Sequence, residues 1–333
     1  MDPADGLPAS AVLSRDAGEV DALWRRCIQQ PDDDDARGVL ADLLQASDDL
    51  RGELMTLQLL PADPANAPAR RARIRELVSG HGRSWLGPLA DLASGASFER
   101  GLVTRLELVD SQPVAIADHR ELWSVEDLIA PPRAVGTLRR LLESPGARSA
   151  HRFEVEDVRT VDTIAASPAR ITHLACQVDD LARRIFDLAR RRDSITSLAV
   201  WGTSFEALRR QPWFERLTTV TFAGSMGRGL AQWPLIPATM SLVIAATPQL
   251  ESCELRFPAD CRLELRRDGC ARVSGEWLLQ SLDVLDALPA SFTRLELEDT
   301  SESIVDRIRR AVGGTREVVL RGLVGRAGNL RWA

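Results

Sequence analysis

The stretch PDDDDARGVLADLLQ sets four aspartates, Asp32 to Asp35, in front of an apolar helical pattern. A row of carboxylates could hold a divalent cation. A calcium loop, however, alternates its ligands, turns on a central glycine and closes with a distal glutamate. Four adjacent side chains diverge and do not fit that plan. Ahead of Val39, Leu40, Leu43 and Leu44, the run fits a helix cap, where carboxylates satisfy orphan N–H groups and oppose the helix dipole. The other chemistry-bearing groups are scattered. GSMGRG (Gly224–Gly229) lacks the dinucleotide fingerprint, and no Lys-Ser or Lys-Thr follows it, so it reads as a glycine-rich loop. Cys253, Cys261 and Cys270 are far apart without a neighbouring histidine, which argues against zinc. His81, His119, His151 and His173 show neither H-x-x-x-H spacing nor a nucleophile motif. No catalytic residue, cofactor or metal is assigned.

Composition narrows the classes further. The chain has 333 residues, 44% of them hydrophobic, enough for one long domain or two ordinary ones. A net charge of −6 and a pI near 5.4 disfavour nucleic acid as a partner. Every basic residue is Arg, there is no Tyr, and the only asparagines are Asn66 and Asn329, a pattern that GC-rich coding explains. A Schiff-base lysine, a P-loop lysine and a tyrosine acid are therefore excluded. Five scattered cysteines, an odd number, do not make a disulfide framework. The acidic N-terminus lacks a signal-peptide pattern, and no apolar run approaches the length of a membrane span. The expectation is a soluble cytoplasmic protein.

A second helical pattern, Leu50–Leu60, follows the first after the short connection SDDL. The pair reads as a helical hairpin, and it resembles the short repeat-companion domain found at the N-terminus of bacterial proteins with leucine-rich-like repeats. The residues that match are Pro31, Asp32 to Asp34, Arg37, Ala41-Asp42, Leu44, Asp49, Arg51-Gly52-Glu53, Leu57 and Gln58. Leu43 stands where the family has Trp, and Asp48 where it has Gly. The second departure carries a cost if that position needs positive φ. The likeness continues less sharply through Arg73–Leu89 and Phe98–Val103, and covers about a quarter of the chain. It implies leucine-rich-like repeats downstream and carries no established activity with it.

The template L-x-x-L-x-L does recur downstream. Its central residues are Leu106, Phe153, Leu174, Leu198, Val220, Leu242, Leu263, Leu295 and Val318, at steps of 47, 21, 24, 22, 22, 21, 32 and 23 residues. The first step has room for a degenerate copy near Val125–Ala130. The usual asparagine position is mostly Ser, Thr or Asp. Helical patterns lie between, at Val135–Leu142, Leu181–Arg191, Phe205–Arg210, Leu278–Leu288 and Ser303–Val312. The fold expected is α/β: a leucine-rich-repeat-like solenoid with parallel strands, capped by an N-terminal helical domain. Residues 1–20 would be disordered or loosely ordered, 21–95 the companion domain and 96–333 the solenoid. Within the solenoid, 251–275 also reads as an antiparallel meander, with Asp268-Gly269 as a hairpin signal, and both readings stand. Val324–Ala333 would cover the far end.

In that register the flanking residues line a concave face. Both ends carry Arg beside Glu, which suits cross-strand pairing. The middle is small and uncharged and contains Trp201. A neutral patch with one large aromatic and a charged rim suits protein binding, through His173, Gln177, Ser197, Trp201, Thr219, Thr221 and Val243. The alternative is that the chain covers this patch itself, for example with Gly224–Pro237. The Arg pairs on the helices, such as Arg139-Arg140 and Arg309-Arg310, read as a solvated face. The leading expectation is a non-enzymatic module for an unknown protein partner, with no membrane. An enzyme with a dispersed site around His173, or a nucleic-acid-binding protein, is the alternative.

Overall fold

The computed structural model describes residues 9–331 apart from 62, 64, 111–118, 177–181, 202–207, 209, 224–239, 242, 246, 257–261, 275–284, 286–287, 299–301, 312–315 and 322–326. Four helices open the chain: α1 (Ala9–Gln29), α2 (Asp34–Ala46), α3 (Leu50–Leu59) and α4 (Ala67–Leu86). The first begins well ahead of the boundary expected near residue 21.

The aspartate run caps a helix. Asp33 Oδ1 accepts from the Ala36 amide at 2.9 Å, and Oδ2 meets Arg26 at 2.8 Å. That amide bond, helped by the Arg26 guanidinium, holds the Asp33 carboxyl below its usual range. Asp34 pairs with Arg100 at 3.0 Å. Arg37 is buried and donates to the carbonyls of Pro31 (2.6 Å) and Cys27 (3.0 Å), so it satisfies the end of α1. Asp49 caps α3 through the Arg51 amide at 2.9 Å. At the α2–α3 crossing, a Cβ on Gly52 would lie 2.4 Å from the Ala41 carbonyl oxygen, so only glycine allows this approach. Asp48 sits at φ 58, the left-handed region in which glycine is at ease.

Among the described residues thirteen strands form one sheet in the order β12-β11-β10-β9-β8-β7-β6-β5-β4-β3-β2-β1-β13. They are β1 (Ala93–Glu99), β2 (Leu102–Leu108), β3 (Asp127–Ala130), β4 (Arg152–Val155), β5 (His173–Cys176), β6 (Ser197–Trp201) and β7 (Thr219–Ala223). Then come β8 (Ser252–Arg256), β9 (Arg262–Arg266), β10 (Cys270–Ser274), β11 (Arg294–Glu298), β12 (Glu317–Arg321) and β13 (Ala327–Arg331). The pairing is parallel from β2 to β8 and again from β10 to β12. Of the two readings of 251–275, the meander is the one adopted: β8–β9 and β9–β10 are antiparallel, with Gly269 at φ 80 in the second turn.

Leu106, Leu128, Phe153, Leu174, Leu198, Val220 and Cys253 lie side by side, at steps of 22, 25, 21, 24, 22 and 33 residues. The degenerate copy near Val125–Ala130 is β3. Helices α5 (Val135–Glu143), α6 (Val158–Ala166), α7 (Ala182–Arg191) and α8 (Glu302–Ala311) connect strands. Leu138, Leu141, Val161, Ile164, Ile185 and Ala189 pack with the aligned row in one continuous core. The strand expected at Thr239–Ile244 is a correction, because the described residues there are helical. Met240, Val243 and Ile244 fall at i, i+3 and i+4 and are all buried. This helical period shares its first step with L-x-x-L, and the next strand starts only at Ser252.

The C-terminal strand also departs from expectation. β13 pairs antiparallel with β1 (Gly95↔Arg331, Ala96↔Leu330), beside the N-terminal helices and not at the β12 end. Its position constrains the shape. Six Cα steps join Arg321 to Ala327 and span at most about 22 Å. Laid flat, the sheet between β12 and β13 would measure about 58 Å at about 4.8 Å per strand. The sheet must therefore curl until its two edges approach, with the helices outside and the opposite face turned inward.

Candidate functional site

Alternation along each strand sends one face to the helices and the other inward. The inward rows follow from the register. One row runs Arg105, Asp127, Arg152, His173, Ser197, Thr219, Ser252, and the next runs Glu107, Ile129, Glu154, Ala175, Ala199, Thr221, Glu254. Between β4 and β10 this face forms an open cavity of about 410 Å³. Its lining has three parts. Thr172, Thr196 and Thr218 stand at the strand entries, Ser197, Thr219, Ser252 and Ser274 on the strands, and His173, Arg152, Arg262, Arg272, Glu254 and Glu264 supply the titratable groups.

Local contacts organise this lining. His173 Nδ1 lies 2.6 Å from the Ser197 hydroxyl, its direct cross-strand neighbour, and the histidine is 7% exposed. Thr219 and Ser252 hydroxyls approach at 3.4 Å, and Thr221 donates to Glu254 Oε2 at 3.1 Å. On the β2–β4 side, Arg152 meets Asp127 at 2.6 Å and Arg105 meets Glu154 at 2.9 Å. The latter contact passes over β3 and spans two strand spacings, which a concave surface permits. On the other side, Arg262 meets Glu254 (3.4 Å), Arg272 lies between Glu264 (3.6 Å) and Glu296 (3.2 Å), and Arg294 meets Glu296 (3.0 Å). The result is a hydroxyl floor between two groups of ion pairs.

Of the residues expected to contact a partner, His173, Ser197 and Thr219 come together in this cavity. Thr221 shares the face, but it is fully buried and its hydroxyl is engaged by Glu254. Val243 is a correction: it lies on a helical turn inside the core, away from the inner face. Gln177 lies outside the described residues. Trp201 is described only through its backbone, which pairs with Ala223. Ser252, Arg272 and Ser274 were missed because the inner rows were read from the solenoid register, in which 251–275 contributes only the strand around Leu263 and not its two neighbours in the meander. The alternation in SCELR and CARVS was the available signal. A threonine also precedes three strands in turn, in ITHLAC, ITSLAV and LTTVTF, and these threonines line the cavity.

The site can form many neutral hydrogen bonds. Backbone amides within its parallel strands serve the sheet ladder, so they are not aimed at a reacting carbonyl. Among the described residues, no three His, Cys, Asp or Glu side chains gather as metal ligands, and no helix is long and apolar enough to cross a membrane. Comparison of the chain with protein-family models, curated proteins and solved structures gives no match.

Proposed function

We propose that this protein is a non-enzymatic binding module, a scaffold, inhibitor or recognition subunit, that takes a protein partner on the inner face of its sheet. The cavity between β4 and β10 carries this reading: it is concave, polar and built on strands held by a continuous core. We also read the chain as a cytoplasmic leucine-rich-like solenoid with an N-terminal companion cap. The steps of 21 to 25 residues between β2 and β7 support the first part. The spacing of Arg37–Gln58 supports the second. Asp33, Arg37, Asp49, Arg51, Gly52 and Gln58, among the hairpin residues that carry the resemblance, are occupied with capping and packing, which favours a cap over a second binding surface.

The test is capture from a lysate of the source cells with wild type, Ser197→Arg and Arg159→Glu, all checked for folding by circular dichroism. Arg159 is exposed on α6, outside the cavity, and serves as the control. A partner kept by the control and lost by folded Ser197→Arg supports the reading. Equal capture by all three removes it.

The pair His173–Ser197 supports a second reading, a serine hydrolase. A fluorophosphonate probe distinguishes the two. In a hydrolase, Ser197 Oγ would bond to phosphorus, fluoride would leave and the proton would pass to His173. Labelling that vanishes in Ser197→Ala would establish that reaction, and no labelling would leave the binding module.

A further inference from the structure

We propose that the cavity recognises an uncharged, hydrogen-bonding segment of its protein partner, one that presents carboxamide and hydroxyl side chains. This rests on the inner-face reading above and adds the chemistry of what enters. Among the described residues the lining is Arg, His, Glu, Ser and Thr, so an apolar side chain would find no matching wall there and would strip hydroxyls of water. An anion fares little better. The guanidiniums of Arg152, Arg262 and Arg272 already lie within 2.6 to 3.6 Å of carboxylates on the same face. An incoming carboxylate would have to displace one of these partners and would then face it across the cavity. A lysine or arginine meets the mirror-image obstacle.

Hydroxyls impose a weaker condition: Thr172 and Thr218 donate to the His151 and Thr196 carbonyls at 3.4 and 3.3 Å, long contacts that strand no charge when exchanged. Each hydroxyl can turn its hydrogen to donate or accept, and a carboxamide offers both functions in one plane. The Thr219–Ser252 contact, at 3.4 Å, is long for an O–H···O bond and gives way readily to a better partner. Ser197, whose hydroxyl faces His173, and Ser274, on β10, extend the same chemistry across the cavity. At about 410 Å³ the space accepts several small side chains from one extended segment.

The experiment is selection of a displayed library of random short peptides on the intact chain, followed by binding of the enriched peptides as synthetic ligands. The expected winners are rich in Asn, Gln, Ser and Thr. Their affinity should change less than about threefold between low salt and about 1 M salt. Thr219→Arg, on the central strand β7, and Ser274→Arg, on β10, should each weaken binding at least about tenfold. Should either fail to fold, Thr219→Val and Ser274→Ala remove the hydroxyls without adding bulk and should still weaken binding. Winners rich in Asp and Glu, or in Leu and Phe, that are lost in these variants would overturn the ligand class and keep the inner-face reading. No enrichment, or peptides indifferent to all four variants, would overturn both.

Discussion

Arg51 joins the N-terminal helices to the short helical turn Arg120–Ser124 that precedes β3, and replacing it tests how the two are held. It is 3% exposed, and its Nη1 donates to both Glu121 oxygens, at 2.9 and 3.0 Å. Nη2 donates to the Trp85 carbonyl at 2.7 Å. The guanidinium also stacks 4.9 Å from the Trp24 ring and 5.6 Å from the Trp85 ring. Glu121, equally buried, has a second neighbour in Arg120 at 3.3 Å, which is more exposed. Removing one member of a buried pair costs about 3–5 kcal/mol, because the other charge remains without its partner. Arg51→Met should fall in that range, with the lost ring contacts adding about 0.5–2 kcal/mol. Glu121→Leu should fall in the same range, because it leaves the Arg51 guanidinium buried without its carboxylate. The double change Arg51→Met/Glu121→Leu should cost less than either single change, because no charge is stranded. Urea unfolding followed by tryptophan fluorescence and circular dichroism gives the four free energies of a double-mutant cycle. Single changes that cost under about 1 kcal/mol and simply add would refute the linkage.

Four further outcomes are expected. Gly101, at φ 78, faces Met55 so closely that an added Cβ would lie 1.8 Å from Met55 Cγ. Gly101→Ala should therefore destabilise by about 2–4 kcal/mol in the same urea assay. Asp33 and Glu53 have carboxyls held below their usual range, by the Ala36 amide and then Arg26, and by the Arg73 guanidinium. Their contribution is present above the unfolded carboxylate range, near pH 4, and is lost as pH falls through the lower folded values. Thermal unfolding of Asp33→Asn/Glu53→Gln should accordingly show a shallower acid dependence than wild type. Burial raises the Cys27 and Cys270 thiols and pushes Cys253 up to about 12, so native alkylation at pH 8 should spare all three until denaturant is added. Deleting residues 322–333 removes β13, so small-angle scattering should show a larger radius of gyration and the uncovered β1 edge should promote association. An unchanged radius would show that the sheet curls without that strand.

The hairpin and the parallel strands were legible because their signals are local. The aspartate run Asp32–Asp35 and Asp49 each stand ahead of an apolar helical pattern, and Asp33 and Asp49 each cap a helix. The rows around Leu106, Phe153, Leu174, Leu198 and Val220 follow from alternation alone. The misplacement at 239–244 has a physical cause: L-x-x-L contains the i, i+3 step of a helix, and only the neighbouring Met240 and Ile244 separate the two periods. That one slip misplaced three residues. It put Val243 on the inner face and left Ser252 and Glu254, the true neighbours of Thr219 and Thr221, off it.

The cavity itself depends on something no local pattern records. Curvature decides whether Arg105 can reach Glu154 over an intervening strand, and whether side chains on β4 and β10 share one space. The curvature in turn is tied to where β13 pairs, a contact between residues more than two hundred positions apart. Charged residues at the two ends of the inner face were readable as cross-strand pairs. That they enclose a neutral floor, and so disfavour a charged ligand, follows only once the strands between them are brought into register and bent. The specificity proposed for this surface is thus a property of the sheet's curvature as much as of the hydroxyls that line it, and loss of the β13–β1 pairing should weaken peptide binding even with every lining residue in place.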